Sequence, residues 1–292
     1  MPSASASVQA RRAESLGERL PPLMVAADRV AATVAQGVHG RRRVGTGESF
    51  WQFRAFVQGD AINRIDWRQS AKSDRNFIRE TEWEAAQTVC LWRDGSASMR
   101  WKSAGATVEK RARAELLLLA LASLLLRGGE RVALMGDAMR PVAGRSGLDR
   151  MAVALARTGD DDAGVPAQSA VPRHARVVLI GDFLSPLDDV QAAVGRLAAI
   201  PVTGHLLQVL DPAEALLPYS GRVRFRGLEK EAETLVPRVE TVRDAYAARL
   251  ADQQAGLAAI CAAAGWSFAV HRTDHTPETA LLGLYSALAP AR

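Results

Sequence analysis

The sequence predicts a doubly wound α/β protein with a mostly parallel central sheet, preceded by a small β-rich module, and three observations carry that expectation. From Thr88 onward, short apolar runs alternate with segments of helical periodicity. Those runs, such as TVCLW at 88–92 and VVLI at 177–180, do not alternate with polar residues, as strands covered by helices on both faces should not. Before Gln87 the chain is rich instead in Gly, Arg and aromatic residues, with two short strand-like runs.

Residues 1–20 have no apolar core of the kind a secretory signal needs and read as a flexible tail. Residues 21–87 read as an N-terminal helix and the β-rich module. The helix spans 21–36, where apolar residues fall at helical spacing and Gly37 supplies a stop. SFWQFRAFV is then a strand, Gly59-Asp60 a turn, and NFIRETEWE a second strand. Residues 88–292 form the α/β domain. After TVCLW come a helix from Ser103 to Leu126 closed by Gly128-Gly129, the strand RVALMGD, a helix from Gly147 to Arg157 and the strand ARVVLIGDF. A helix from Leu187 to Ala199, the strand VTGHLLQVLD and a hairpin inserted near 222–236 follow. A helix from Glu240 to Ala264, the strand WSFAVHR and a helix from Pro277 to Ala289 close the chain. Such alternation calls for parallel strands joined by right-handed crossovers. GDDDAG, between Thr158 and His174, reads as a solvated acidic loop.

With 292 residues, 48% of them hydrophobic, the chain can bury a full core in one large domain or two unequal ones. LLLLALASLLL at 116–126, flanked by Glu115 and Arg127, is about half the roughly 20 residues that cross a bilayer, so it reads as a buried helix. Cys90 and Cys261 read as buried free thiols, which places the protein in the reducing cytoplasm. The net charge of +5 keeps nucleic acid open as a partner, since Trp51, Phe53, Phe56 and Trp67 lie among arginines at 41–43, 54, 64 and 68. Asp60, Asp66, Asp74, Glu80, Glu82 and Glu84 are interleaved with them, however, so paired structural charges are the favoured reading.

The candidate site is the run CLWRDGSASM. Asp94, Ser96 and Ser98 follow the first central strand at alternate positions, which turns their side chains the same way in an extended loop. Ligands of open parallel sheets bind at the carboxyl ends of strands, and Asp182 ends a second strand in VVLIGDF. Carboxylates and hydroxyls are ligands for Mg²⁺ or Mn²⁺; the same run could also simply cap a helix. Other chemistries lack their residues. There is no Gly-x-Ser-x-Gly elbow around Ser96, no HExxH, no Walker-type glycine loop, and Ser96 stands where an aspartyl phosphotransferase has a second carboxylate.

LWRDGSASM resembles the metal-ion-dependent adhesion site of von Willebrand factor A domains. More specifically, GESFWQFRAFVQGDAINRIDWRQSAK with FIRETEWE resembles the bacterial family called domain of unknown function fifty-eight. The match runs through Glu48, Arg54, Gly59, Asp60, Arg64, Ile65, Asp66, Trp67, Ser70 and Ala71, with Phe56 where the family often has Tyr. The resemblance implies a von Willebrand A-like fold in which Ser96 and Ser98 touch a Mg²⁺ or Mn²⁺ ion and Asp94 and Asp182 assist. The fifth ligand, usually a Thr, falls to Ser146 in AGRSGLD. It further implies a non-enzymatic adaptor that binds a partner's carboxylate through the metal, with a AAA+ ATPase of the MoxR type as partner. Arg54, Gly59, Asp60, Arg64, Asp66 and Trp67 are expected to form a structural or docking module, with Asp60, Arg64 and Asp66 as a charge network around Trp67.

Overall fold

The computed structural model of the chain describes residues 25–35, 50–57, 65–72, 75–81, 87–136, 140–157, 164–228 and 233–288. They fall into two units: residues 39–86, and residues 87–292 together with the N-terminal helix.

The larger unit has a mixed α/β architecture around a five-stranded sheet. In chain order its strands are β3 (Thr88–Arg93), β4 (Arg131–Leu134), β5 (Arg176–Gly181), β6 (Thr203–Leu210) and β9 (Ser267–Arg272). All neighbours pair in parallel, in the order β4-β3-β5-β6-β9. The chain therefore leaves β3 in one direction to make β4, then crosses back to make β5 on the other side. The carboxyl ends of β3 and β5 flank the place where the strand order reverses, the point at which loops diverge and leave a crevice.

The central strands β3, β5 and β6 bury both faces, as their uninterrupted apolar runs demand, whereas β9 at the sheet edge leaves Val270 exposed. Val89, Leu91, Val132, Val178, Ile180, Leu207 and Val209 face one core with α3 (Lys110–Arg127), α4 (Arg145–Arg157) and α8 (Pro277–Ala287). Cys90, Trp92, Val177, Leu179 and Leu206 face the other, beneath α5 (Leu187–Ala198) and α7 (Arg243–Ala263). Both cysteines are buried free thiols, raised to about 11 by burial.

Leu117 through Leu126 of α3 are all buried because a further helix, residues 25–35 (α1), covers the side that would face water. Ala27, Val30, Ala31 and Val34 form its apolar stripe. Asp28 fixes it, accepting from Ser123 Oγ at 2.9 Å and from Arg127 Nη2 at 2.8 Å. The expected grouping of this helix with the β-rich module is thereby corrected: its partners lie on α3.

The helix expected from Ser103 begins only at Lys110. Its would-be first turns are spent on a turn at Ala104-Gly105 and a bend at Thr107-Val108, and the Ser103 amide goes to the Asp211 carboxylate. A short helix after β6, α6 (Pro212–Leu216), was not expected. Asp211 and Glu214 close a capping box at its start, with Pro212 in the first turn. The hairpin near 222–236 is present as β7 (Val223–Phe225) and β8 (Thr234–Val236).

In the smaller unit, β1 (Phe50–Ala55) pairs antiparallel with β2 (Phe77–Thr81), around the one-turn helix α2 (Trp67–Ser70). The Ile-Asp-Trp-x-x-Ser run is legible as local chemistry. The Asp66 carboxylate caps α2, accepting from the amides of Arg68 at 3.1 Å and Gln69 at 3.0 Å. Ser70 Oγ donates to the Asp66 carbonyl and accepts from the Phe77 amide, each at 2.8 Å, which ties α2 to β2. Trp67 is 63% exposed, so it is not the enclosed centre of a charge network. Gly59, Asp60 and Arg64, and the acidic run at 160–162, lie outside the described residues.

Ser70→Ala removes the acceptor of a part-buried amide, a loss of about 1–2 kcal/mol. Exchange of the Phe77 amide with deuterium is expected to accelerate roughly five- to thirtyfold, measured by NMR, with amides of β3 and β5 unchanged.

Candidate functional site

The site is built where β3 and β5 end. The Asp94 amide donates to the Ile180 carbonyl at 2.9 Å, adding one rung to the β3/β5 ladder and locking the Asp94 backbone before the chain turns away. Its Oδ1 then accepts from the Ser96 amide at 2.8 Å. Ser96 Oγ lies 2.9 Å from Ser98 Oγ, and Ser98 Oγ donates to Asp182 Oδ2 at 2.6 Å. Asp94, Ser96, Ser98 and Asp182 are thus one hydrogen-bonded chain of oxygens, with Asp94, Ser96 and Asp182 at most 3% exposed.

Several local features serve this arrangement. A Cβ on Gly181 would come within 2.8 Å of Asp94 Cβ and 3.0 Å of Oδ2, so the Gly in the strand end IGD makes room for the opposing carboxylate. Phe183 adopts φ 46°, a conformation unfavourable for a large side chain, immediately after Asp182. Gln253 secures that turn from α7, donating to the carbonyls of Phe183 at 3.0 Å and Ser185 at 2.9 Å. Gln208 of β6 donates to the Asp182 carbonyl at 2.8 Å.

Charge is unevenly matched. Lys110 Nζ lies 2.8 Å from Asp182 Oδ2 and is shared with Glu214 Oε1. Burial alone would lower this ammonium, but Asp182 and Glu214 outweigh it and hold it above its ordinary value. Burial raises Glu214, against the pull of Lys110. Asp94 has no such partner: its Oδ2 is buried without a hydrogen bond. Burial, then the nearby Asp182, push its carboxyl up to about 6. Arg93 donates to the Asp94 carbonyl rather than to the carboxylate, at 2.9 Å.

The donor set suits a hard divalent cation. It offers two hydroxyls and two carboxylates, one of which keeps a buried oxygen without a partner. Among the described residues no group of three or more His, Cys, Asp or Glu is placed to hold a metal; the cluster here joins two carboxylates to two hydroxyls. His271 is engaged by Arg113, its Nε2 lying 3.0 Å from Nη1. Burial and that guanidinium lower it to about 4.

The hydrogen-bonded chain brings together four of the five ligands expected from the sequence. Ser146 lies exposed in the first turn of α4, beyond β4, outside the hydrogen-bonded chain. Lys110 and Glu214 were missed. Glu214 had a readable signal, because DPAE directly after an apolar strand is a capping box at a third strand end. Lys110 had none: its burial follows from the late start of α3.

Fold and site together define a doubly wound α/β protein with a hydroxyl-and-carboxylate cluster at its topological switch point. The chain belongs to the family described as "Protein of unknown function DUF58", whose pattern matches residues 52–256. It is similar to the uncharacterized protein Rv1480 of Mycobacterium tuberculosis, 28% identical over 258 residues that cover 82% of this chain and 80% of the relative. Solved structures of lower similarity include the conserved hypothetical protein BatB from Bacteroides thetaiotaomicron, at 13% identity and TM-score 0.37. Another is an aerotolerance-related membrane protein from Bacteroides fragilis, at 15% identity and TM-score 0.41. Each alignment covers 69% of this chain and 98% of the other. The cytoplasmic location expected from the cysteines is corrected here: a structural neighbour is described as a membrane protein, and the expectation is dropped. Among the described residues no helix is long and apolar enough to cross a membrane.

Asp94 gives the metal-free protein a definite pH dependence. Its folded value of about 6 lies above the ordinary 3.8, so the folded state holds the proton more tightly than the unfolded chain. Stability is therefore gained as pH falls from 6 towards 4 and lost as it rises through that window. In chelator-treated protein, Asp94→Asn is expected to remove this contribution and to raise stability at pH 7 by up to about 3 kcal/mol, measured by urea denaturation of both proteins at pH 7 and pH 5.

Proposed function

We propose that this chain is a von Willebrand factor A-like, metal-dependent protein-binding adaptor, and that Mg²⁺ or Mn²⁺ is bound by Asp94, Ser96, Ser98 and Asp182. The observation that carries the reading is the buried oxygen chain ending in the unpartnered Asp94 Oδ2. Neutral hydroxyls leave a bound divalent ion under-neutralised, and the ligand that such an ion recruits is a carboxylate from another protein. Ser96 and Ser98 position that contact; Asp94, deprotonated, anchors it. Ser146, in the first turn of α4, remains the candidate for a further ligand.

The role is binding rather than turnover. A partner of the MoxR AAA+ type is proposed from the family resemblance, with protein assembly or maturation as the setting. The nucleic-acid alternative rests on arginines and aromatics of the first third of the chain. Among them Arg41, Arg42, Arg43 and Arg64 lie outside the described residues, and no observation among the described residues favours it.

Thermal melting with excess Mg²⁺ or Mn²⁺ tests the site. At ten to a hundred times the dissociation constant, wild type is expected to gain roughly 1–3 kcal/mol of apparent stability, and Asp94→Ala nothing. A wild type indifferent to both ions sinks the metal reading.

A pull-down with a MoxR-type ATPase separates the two partner classes. Chelator is expected to release the ATPase while moderate salt leaves it bound. Binding of single-stranded nucleic acid that weakens steeply with salt and ignores chelator would favour the alternative instead.

A further inference from the structure

The proposed cation site already contains a cation of its own. Lys110 has a side chain with 0% exposure, and its Nζ donates to Asp182 Oδ2 at 2.8 Å and to Glu214 Oε1. The same Asp182 oxygen also accepts from Ser98 Oγ at 2.6 Å, so it is occupied from two sides. Lys110 is moreover the first residue of α3, where the helix dipole disfavours an ammonium. It is held there by carboxylates, and it serves only two of them: Asp94 Oδ2 is left without a partner.

Resting on the metal-binding reading above, we propose that Lys110 is an internal competitor for the divalent ion, neutralising Asp182 in the metal-free protein and setting metal affinity low enough for exchange. Two like charges a few ångströms apart in a buried site repel strongly, and one of them is tethered. Glu214 is what makes the exchange feasible. When a divalent ion arrives beside Asp94, Ser96 and Ser98, the ammonium gives up its bond to Asp182 and keeps the one to Glu214. Glu214 is itself fixed by the α6 capping box, its Oε2 accepting from the Asp211 amide at 2.9 Å. Asp211 in turn accepts from the Ser103 amide at 2.8 Å, in the loop between the serines and α3. The carboxylate that retains Lys110 is thus pre-positioned by the loop that leads to it.

Calorimetric titration of Mn²⁺ into wild type, Lys110→Gln and the double variant Lys110→Gln/Glu214→Gln tests this. The double variant removes the carboxylate that the single substitution leaves buried and unpaired, which guards against a single variant that does not fold. Wild type is expected to bind, and the folded variants to bind at least about tenfold tighter. If wild type binds and the folded variants bind equally or more weakly, Lys110 supports the site instead of competing for it; the inference falls and the metal reading stands. If only the variants bind, Lys110 does exclude the ion and the metal reading of the native chain falls. If no protein binds, both fall. A measurement on the native chain needs no variant: the ¹⁵Nζ resonance of Lys110 is expected to shift on saturation with Mg²⁺, and a resonance that stays in place while the ion binds overturns the inference.

Discussion

The structure is organised around a shortage of positive charge at the end of two adjacent strands. Asp94 and Asp182 are buried side by side, and the one ammonium hydrogen-bonded to either is shared between Asp182 and Glu214. A buried carboxylate without a partner costs several kcal/mol unless it takes up a proton or a cation. Much of the neighbouring sequence makes sense as what is required to keep this pair in place: Gly181, which leaves space for Asp94; the left-handed Phe183; Gln253 and Gln208, which secure the turn around Asp182. Residues chosen for stability alone would not combine a strained backbone, an unpartnered oxygen and a lysine at a helix N-terminus within one small volume.

The topology explains why the shortage arises there. All five strands point the same way, so every strand end delivers its last polar residue to one edge of the sheet. At the switch point the connections leave in opposite directions, and no crossover covers the crevice. β3 contributes Asp94, β5 Asp182 and β6 Asp211, three consecutive strands in space. Asp211 is satisfied by amides, its oxygens taken by those of Ala213 and Ser103, whereas Asp94 Oδ2 has no partner. The edge therefore separates into a half where amides satisfy Asp211 and a half where Lys110 is set against Asp182 and one oxygen of Asp94 is left without a partner.

Much of the fold was legible in the sequence because strands buried on both faces announce themselves as unbroken apolar runs. TVCLW, VVLI and the run from His205 to Leu210 each became a parallel strand, and the helices between them followed from periodicity. What was not legible depended on contacts distant in sequence. Nothing near Ser103 says that its amide will go to Asp211, 108 residues later, and so nothing says that α3 starts late. The membership of residues 25–35 likewise rests on Asp28 meeting Ser123 and Arg127 across about ninety-five residues. The site followed the same division. Alternate spacing placed Asp94, Ser96 and Ser98 together, and a strand end supplied Asp182. Lys110 and Glu214 are brought in only by the three-dimensional closure of α3 on α6.

The two missed residues change what the site is. Four oxygen ligands and no ammonium would describe a trap that, once filled, has no reason to empty. In the proposed metal site, an ammonium tethered to one of those ligands would bring the occupied and unoccupied states closer in energy, because each would have a cation against Asp182 or within reach of it. Adhesion through a metal calls for such a balance. The contact must form when ion and partner carboxylate are both present, and must come apart when either leaves. Hydroxyls in place of further carboxylates push in the same direction, since they add no charge of their own to retain the ion. In the proposed site, Ser96, Ser98 and Lys110 would share one physical purpose: limiting how firmly Asp94 and Asp182 hold an ion.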